Sequence, residues 1–128
     1  MKNIAISVVM SVYNGELYLS EAIESILNQY YENFEFIIIN DGSTDDSLKI
    51  LKKYASEDSR IKIINRSNKG LVYSLNEAIS MSKGKYIARM DADDICPPSR
   101  LDVQLDCMEK NDLDICGGHY KLINEKGD

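Results

Sequence analysis

No stretch of this chain is long enough to cross a bilayer, which takes about 20 apolar residues; the longest apolar runs, IAISVVM and FEFIIIN, are far shorter. Basic clusters are missing too. Fifteen Lys and Arg stand against 21 Asp and Glu, a net charge of −6, which argues against nucleic acid as a partner. An anionic small molecule stays admissible if a cation bridges it to acidic residues. Cysteine is scarce and odd in number. Cys96, Cys107 and Cys116 form no C-x-x-C pair, and no secretory pattern opens the sequence, so three reduced thiols in a cytoplasmic protein are expected. The only histidine, His119, has no acidic or thiol ligand pattern around it and reads as packed or solvent-facing. No Ser-His-Asp or Cys-His arrangement is readable. Two phosphate-cradling motifs are absent as well: G-x-G-x-x-G after the first strand, and the loop ending in Gly-Lys-Ser/Thr. Phosphate is therefore not held here by a glycine-rich turn.

What remains is an ordinary globular composition, 44% hydrophobic and 28% charged, over 128 residues. That is the size of one domain with a real core. Apolar, β-branched runs alternate with helix-period segments. IAISVVMS (4–11) and FEFIIIN (34–40) read as strands buried on both faces, and RIKIINR (60–66) as a strand nearer an edge. KYIARM (85–90) is a fourth strand, and LDICGGHYKLI (113–123) a last one, broken at Gly117–Gly118. Between them Leu19, Ala22, Ile23, Ile26, Leu27 and Tyr30 follow helical spacing. So do Leu48, Leu51, Tyr54 and Ala55, in a helix capped by Ser43 with Asp45 and Asp46 in its first turn and ending near Glu57. A third helix carries Leu71, Leu75, Ala78 and Ile79 and stops at Gly84. Pro97 and Pro98 suit the first turn of a fourth, with Leu101, Leu105 and Met108. Such alternation predicts βαβ units, right-handed crossovers and a three-layer α/β/α fold with a mainly parallel central sheet.

Ligands of such sheets bind beyond the carboxyl ends of the strands, and the polar signals fall there. Ser11, Tyr13 and Asn14 follow the first strand, and Asp41–Gly42–Ser43 the second. Asn65, Arg66 and Asn68 follow the third, and Asp91, Asp93 and Asp94 the fourth. Three like charges in four residues repel unless something positive lies between them. Hard carboxylate oxygens suit Mg²⁺ or Mn²⁺, which would in turn bring a phosphate. In an extended backbone Asp91 and Asp93 would address one ligand from the same face. The plainer reading is that the aspartates cap a helix and solvate a loop. Tyr13 can likewise be read as a stacking platform for a base or as a core ring.

In order, SVVMSVYNG…L…AIESILNQ (7–29), FEFIIINDGSTDDS (34–47), NKG…LNEAI (68–79) and GKYIARMDADDICPPSRL (84–101) resemble the N-terminal half of a family 2 glycosyltransferase, with the A-type, Rossmann-like nucleotide-sugar fold. The resemblance covers almost the whole chain. It implies an inverting transfer of a sugar from a nucleotide-diphosphate sugar, commonly uridine-linked, with Mn²⁺ or Mg²⁺. The acceptor hydroxyl it implies belongs to a cell-surface polysaccharide or a lipid. Carried over, Tyr13 would contact the base and Asp41 would hydrogen-bond it. Asp91 would lie at the ribose and metal, and Asp93 would ligate the metal bridging the diphosphate. Ser11, Arg66 and Asn68 are further candidates for the nucleotide pocket. Met10–Ser11 departs from the Pro or Thr common there in the family. The acidic general base of that family lies well downstream of Asp-x-Asp, so it is expected beyond Asp128, and no residue here is assigned to it. Residues 1–128 are thus expected to be the donor-binding domain, at the cytoplasmic side and with peripheral membrane association open. The rival readings are a non-catalytic nucleotide-sugar-binding module and a Mg²⁺-dependent phosphotransfer domain. The second fits less well, because such domains need their acidic pair after the first strand, where this chain has SVYNG.

Overall fold

A computed structural model of the chain describes residues 3–128. Strands and helices alternate through it: β1 (Ile6–Val12), α1 (Leu19–Leu27), β2 (Phe34–Asp41), α2 (Ser47–Glu57), β3 (Ile61–Arg66), α3 (Leu71–Met81), β4 (Tyr86–Arg89) and α4 (Arg100–Asn111). The strands form one parallel sheet in the order β3-β2-β1-β4. Every residue of β2 is buried, as its mostly apolar run requires of a central strand. β3 is an edge strand, in keeping with its alternating sequence.

The order of the strands dictates the layers. β1 to β2 to β3 steps one way across the sheet, and right-handed crossovers place α1 and α2 on one face. Their Leu19, Ile23, Ile26, Leu51 and Tyr54 pack there with Val8, Met10, Phe36 and Ile38, joined by Leu101 of α4. The step from β3 to β4 jumps back past β1, so its helix, α3, falls on the opposite face. Ala78 and Leu75 of α3 cover Val9, Ile37 and Ile39 there. The sheet reverses its direction of travel between β1 and β4, and crevices of such sheets open at that switch point.

A buried carboxylate holds β4 in place. Glu35 accepts hydrogen bonds from the Ser7 hydroxyl at 2.6 Å, the Lys83 amide at 2.6 Å and the Lys62 ammonium at 2.5 Å. Burial pushes its pKa up, but the bonds from Lys62, Ser7 and Lys83 outweigh this and hold it below the ordinary carboxylate range. Ser7 in turn accepts the Gly84 amide at 2.8 Å. A Cβ on Gly84 would lie 2.6 Å from the Ser7 nitrogen, so only glycine lets the chain pass this close to β1 on its way into β4.

Several local expectations change. Residues 113–123 form no strand. Ile115, Tyr120 and Leu122 of this segment are exposed, and β-propensity without a neighbouring strand to pair with does not make a strand. Tyr30 lies beyond α1 and is exposed. α2 begins later than expected, with Asp46 rather than Ser43 at its N-cap. α3 ends at Met81 with Ser82 as its C-cap, so Gly84 serves strand packing instead of stopping the helix, and Leu71 and Ile79 stay half-exposed. Pro97 and Pro98 sit just ahead of α4, and the Pro97 carbonyl accepts the Arg100 amide at 3.0 Å. Of the three thiols only Cys96 is buried, while Cys107 and Cys116 are partly exposed. Among the described residues no helix is long and apolar enough to cross a membrane.

Candidate functional site

Side chains alternate faces along a strand. Val9 and Ile39 face α3, so Ser11 and Asp41, two residues on, share that side at the carboxyl edge. Val9 pairs with Arg89 and Asp41 with Arg66 across the ladders, which brings these arginines to the same side. A groove of about 430 Å³ opens there between the ends of β1 and β4. Ser11, Tyr13 and Asn14 form one wall; Arg89, Asp91 and Asp93 form the other, with Leu71 at the start of α3 beside them. Tyr13 is 57% exposed, so its ring is available to a ligand and is not a core ring. A smaller hollow of about 240 Å³ adjoins the groove, sharing Tyr18 and Asp93 and flanked by Ile123 and Asn124.

The loop carrying Tyr13 is laced to the Asp-Gly-Ser-Thr-Asp-Asp segment. Asn14 takes a left-handed φ of 51°, which asparagine tolerates better than most residues. Its amide donates to the Ser43 hydroxyl at 3.0 Å, and its side-chain oxygen accepts the Thr44 amide at 2.7 Å. The Gly15 amide donates to the Ser47 hydroxyl at 3.0 Å and the Glu16 amide to Asp45 at 3.1 Å, while Glu16 accepts the Asp46 amide at 2.8 Å. Ser43 is thus spent across the site and not on its own helix. The sequence signal for this lacing is the pairing of Tyr-Asn-Gly-Glu with Ser-Thr-Asp-Asp, two polar loops that follow adjacent strands.

Asp41 lies next door, only 2% exposed. Its carboxylate accepts the Lys69 amide at 2.8 Å and the Gly70 amide at 3.0 Å, and it pairs with Arg66. Burial raises its pKa, but the amides of Lys69 and Gly70 and the Arg66 guanidinium prevail and hold it below the usual range. Arg66 is equally committed, to Glu77 at 2.6 Å, the Ser74 hydroxyl at 2.9 Å and the Tyr73 ring 5.0 Å away. Asn68 donates to the Asp41 carbonyl at 2.9 Å. The two loops run so close that a Cβ on Gly42 would sit 2.5 Å from the Asn68 nitrogen, and Gly42 has a φ of 76°. Asp41, Arg66 and Asn68 therefore form one closed polar knot at the start of α3. They stand beside the groove whose lining holds Ser11, Tyr13, Asp91 and Asp93.

The Asp-x-Asp segment is a turn and not the extended stretch expected. β4 ends at Arg89, and the Asp94 amide donates back to the Asp91 carbonyl at 3.3 Å. Both Asp91 and Asp93 nonetheless line the groove. Burial, then the charges of Asp91 and Asp93, push the Asp94 carboxyl above its ordinary pKa, so negative charge is in excess here. Among the described residues no group of three or more ligand side chains could hold a metal. Two carboxylates with excess negative charge nonetheless fit Mg²⁺ or Mn²⁺, which take one or two carboxylates and complete their shell with phosphate and water. Arg89, which the sequence alone does not single out, donates to Asp91 at 3.2 Å. Its signal was the spacing of two from Asp91 at the end of a strand.

The family model described as Glycosyl transferase family 2 matches residues 7–128. An uncharacterized glycosyltransferase of Haemophilus influenzae is 48% identical over 94% of this chain and 38% of its own length. The O-antigen biosynthesis glycosyltransferase WbnJ of Escherichia coli is 44% identical, over 96% of this chain and 49% of its own. Among solved structures, S. aureus TarS 1–349 in complex with UDP-GlcNAc superposes with a TM-score of 0.78 at 26% identity, covering 83% of this chain and 31% of that one. The chain thus spans less than half the length of these relatives.

Proposed function

The chain belongs to glycosyl transferase family 2, and from that premise we propose that it is the donor-binding part of an enzyme moving a sugar from a nucleotide-diphosphate sugar to an acceptor hydroxyl. The observation that carries this reading is the convergence of Tyr13, Ser11, Asp91 and Asp93 on one groove at the switch point of the sheet. The UDP-GlcNAc complex of the TarS neighbour supports a uridine-linked donor. The O-antigen role in the Escherichia coli relative's name supports a cell-surface polysaccharide or glycolipid acceptor; that the transfer takes place at the cytoplasmic face of the membrane is part of the proposal.

In this proposal Tyr13 stacks on the base, and Ser11 contacts the nucleoside beside it. Asp41 fixes the base edge of the pocket through the Arg66–Asn68–Gly70 knot, which keeps one wall from shifting. Asp91 and Asp93 hold Mn²⁺ or Mg²⁺, with Asp91 also near the ribose. When bound, the cation supplies positive charge against the diphosphate as it leaves with the electrons of the anomeric bond. Transfer is a single displacement with inversion, and its general base comes from the acceptor-binding part of the whole enzyme.

Calorimetric titration of UDP with Mn²⁺ and again with EDTA tests the proposal. Binding that requires the metal is the expected result. A folded chain that binds no UDP in either condition would overturn it.

A further inference from the structure

Among the described residues Arg89 is the only Lys or Arg lining the groove, on the wall it shares with Asp91 and Asp93. Among the described residues its one side-chain partner is Asp91, at 3.2 Å, and both side chains are about half-exposed, 58% and 47%. A single exposed contact of this kind contributes little and is readily exchanged. The neighbouring arginines differ. Arg66 is locked by Asp41, Glu77 and Ser74, and Arg100 spans the Arg89 carbonyl, the Cys96 thiol and Gln104. Arg89 is the guanidinium at this edge that can turn to a ligand without breaking the fold.

The charges in the groove say which ligand. One divalent cation balances the two negative charges of a sugar-linked diphosphate, but Asp91 and Asp93 add two more on the same wall, which Arg89 alone opposes. Without a positive group from the protein, the diphosphate would meet repulsion. A guanidinium fork matches two phosphate oxygens in geometry as well as in charge. We propose that Arg89 reads the diphosphate of the donor, exchanging its contact with Asp91 for the phosphates when a donor enters the groove. This rests on the nucleotide-sugar reading above. It adds a residue that makes affinity depend on the number of phosphates.

The test is titration of uridine, UMP and UDP, each with Mg²⁺, into the wild-type chain and into Arg89→Gln and Arg89→Lys. Arg89→Gln should leave uridine affinity and the unfolding midpoint unchanged, and should weaken UDP about tenfold or more. UMP should fall between them. Arg89→Lys keeps the charge without the fork and should recover part of the loss. UDP affinity that is unchanged or higher in Arg89→Gln would overturn the inference, since Arg89 would then only compete with the cation for Asp91; the nucleotide-sugar reading would stand. A wild-type chain that binds none of the three ligands would overturn both.

Discussion

Replacing Asp41 by alanine is expected to destabilise the chain by about 3 kcal/mol, because one member of a buried ion pair is removed, and to weaken uridine binding with or without metal. The Asp41 and Arg66 side chains are 3% and 13% exposed. Without the carboxylate, the amides of Lys69 and Gly70 lose their acceptor at the start of α3, and Arg66 keeps only Glu77 as a charged partner. The loss falls at the low end of the range for buried pairs because Glu77 remains. The knot anchors the turn leading to Leu71, which lines the groove, so instability and weakened binding should appear together. The pH dependence follows from the same contacts. Asp41 has its pKa lowered from 3.8 in the folded chain. Its contribution is therefore complete above that unfolded value and is lost as pH falls through the lower folded value. The wild-type chain should lose stability below about pH 4, and Asp41→Ala should show a shallower acid limb. Urea unfolding between pH 3 and pH 7 checks both. An unchanged midpoint would show that the knot carries no stability, and unchanged uridine affinity would show that the knot does not hold the wall of the pocket.

The second large effect is expected at Asp93. Asp93→Asn should abolish the metal-dependent part of UDP binding, a loss of about tenfold or more for a charged contact. Asp94→Asn should do much less. Asp93 lines the groove whereas Asp94 does not, and the Asp94 carboxyl is already disfavoured as an anion by burial and by its two neighbours. Parallel calorimetry of the two variants with Mn²⁺ and with EDTA separates them. Equal, mild losses would contradict the assignment of Asp93 to the cation.

The parts of the fold legible in the sequence were those where burial leaves a pattern. β1 and β2 are almost wholly buried and mostly apolar because both their faces are covered, and α1 shows its buried stripe at Leu19, Ala22, Ile23 and Ile26. The errors arose where a local signal is outvoted by a distant partner. Ser43 looks like a helix cap, yet its hydroxyl accepts the Asn14 amide, about 30 positions away, and Asp45 bonds Glu16 as well as the Ser47 amide at the start of its own helix. Gly84 looks like a helix stop, yet its constraint is the backbone of Ser7. Residues 113–123 have strand-like composition but pair with no strand. In the site, the strand ends that carry Ser11, Tyr13, Asp91 and Asp93 were readable from the alternation of elements alone. That Asp41, Arg66 and Asn68 bind one another was not, because pairing across β2 and β3 depends on register. Arg89 was overlooked because a charged residue ending a short strand looks the same as a solvated one until its neighbours are known.

The central claim is that a cation and a nucleotide meet between the ends of β1 and β4. Its most direct test is the amide spectrum of the isotopically labelled chain as Mn²⁺ is added in the presence of UDP, since the paramagnetic ion broadens signals close to it. The account predicts selective loss of the signals of residues 11–15 and 91–94, with those of Glu35 and Gly84, at the opposite edge of the sheet, left sharp. Broadening centred elsewhere, for instance on Asp102 and Asp106 of α4, would contradict it.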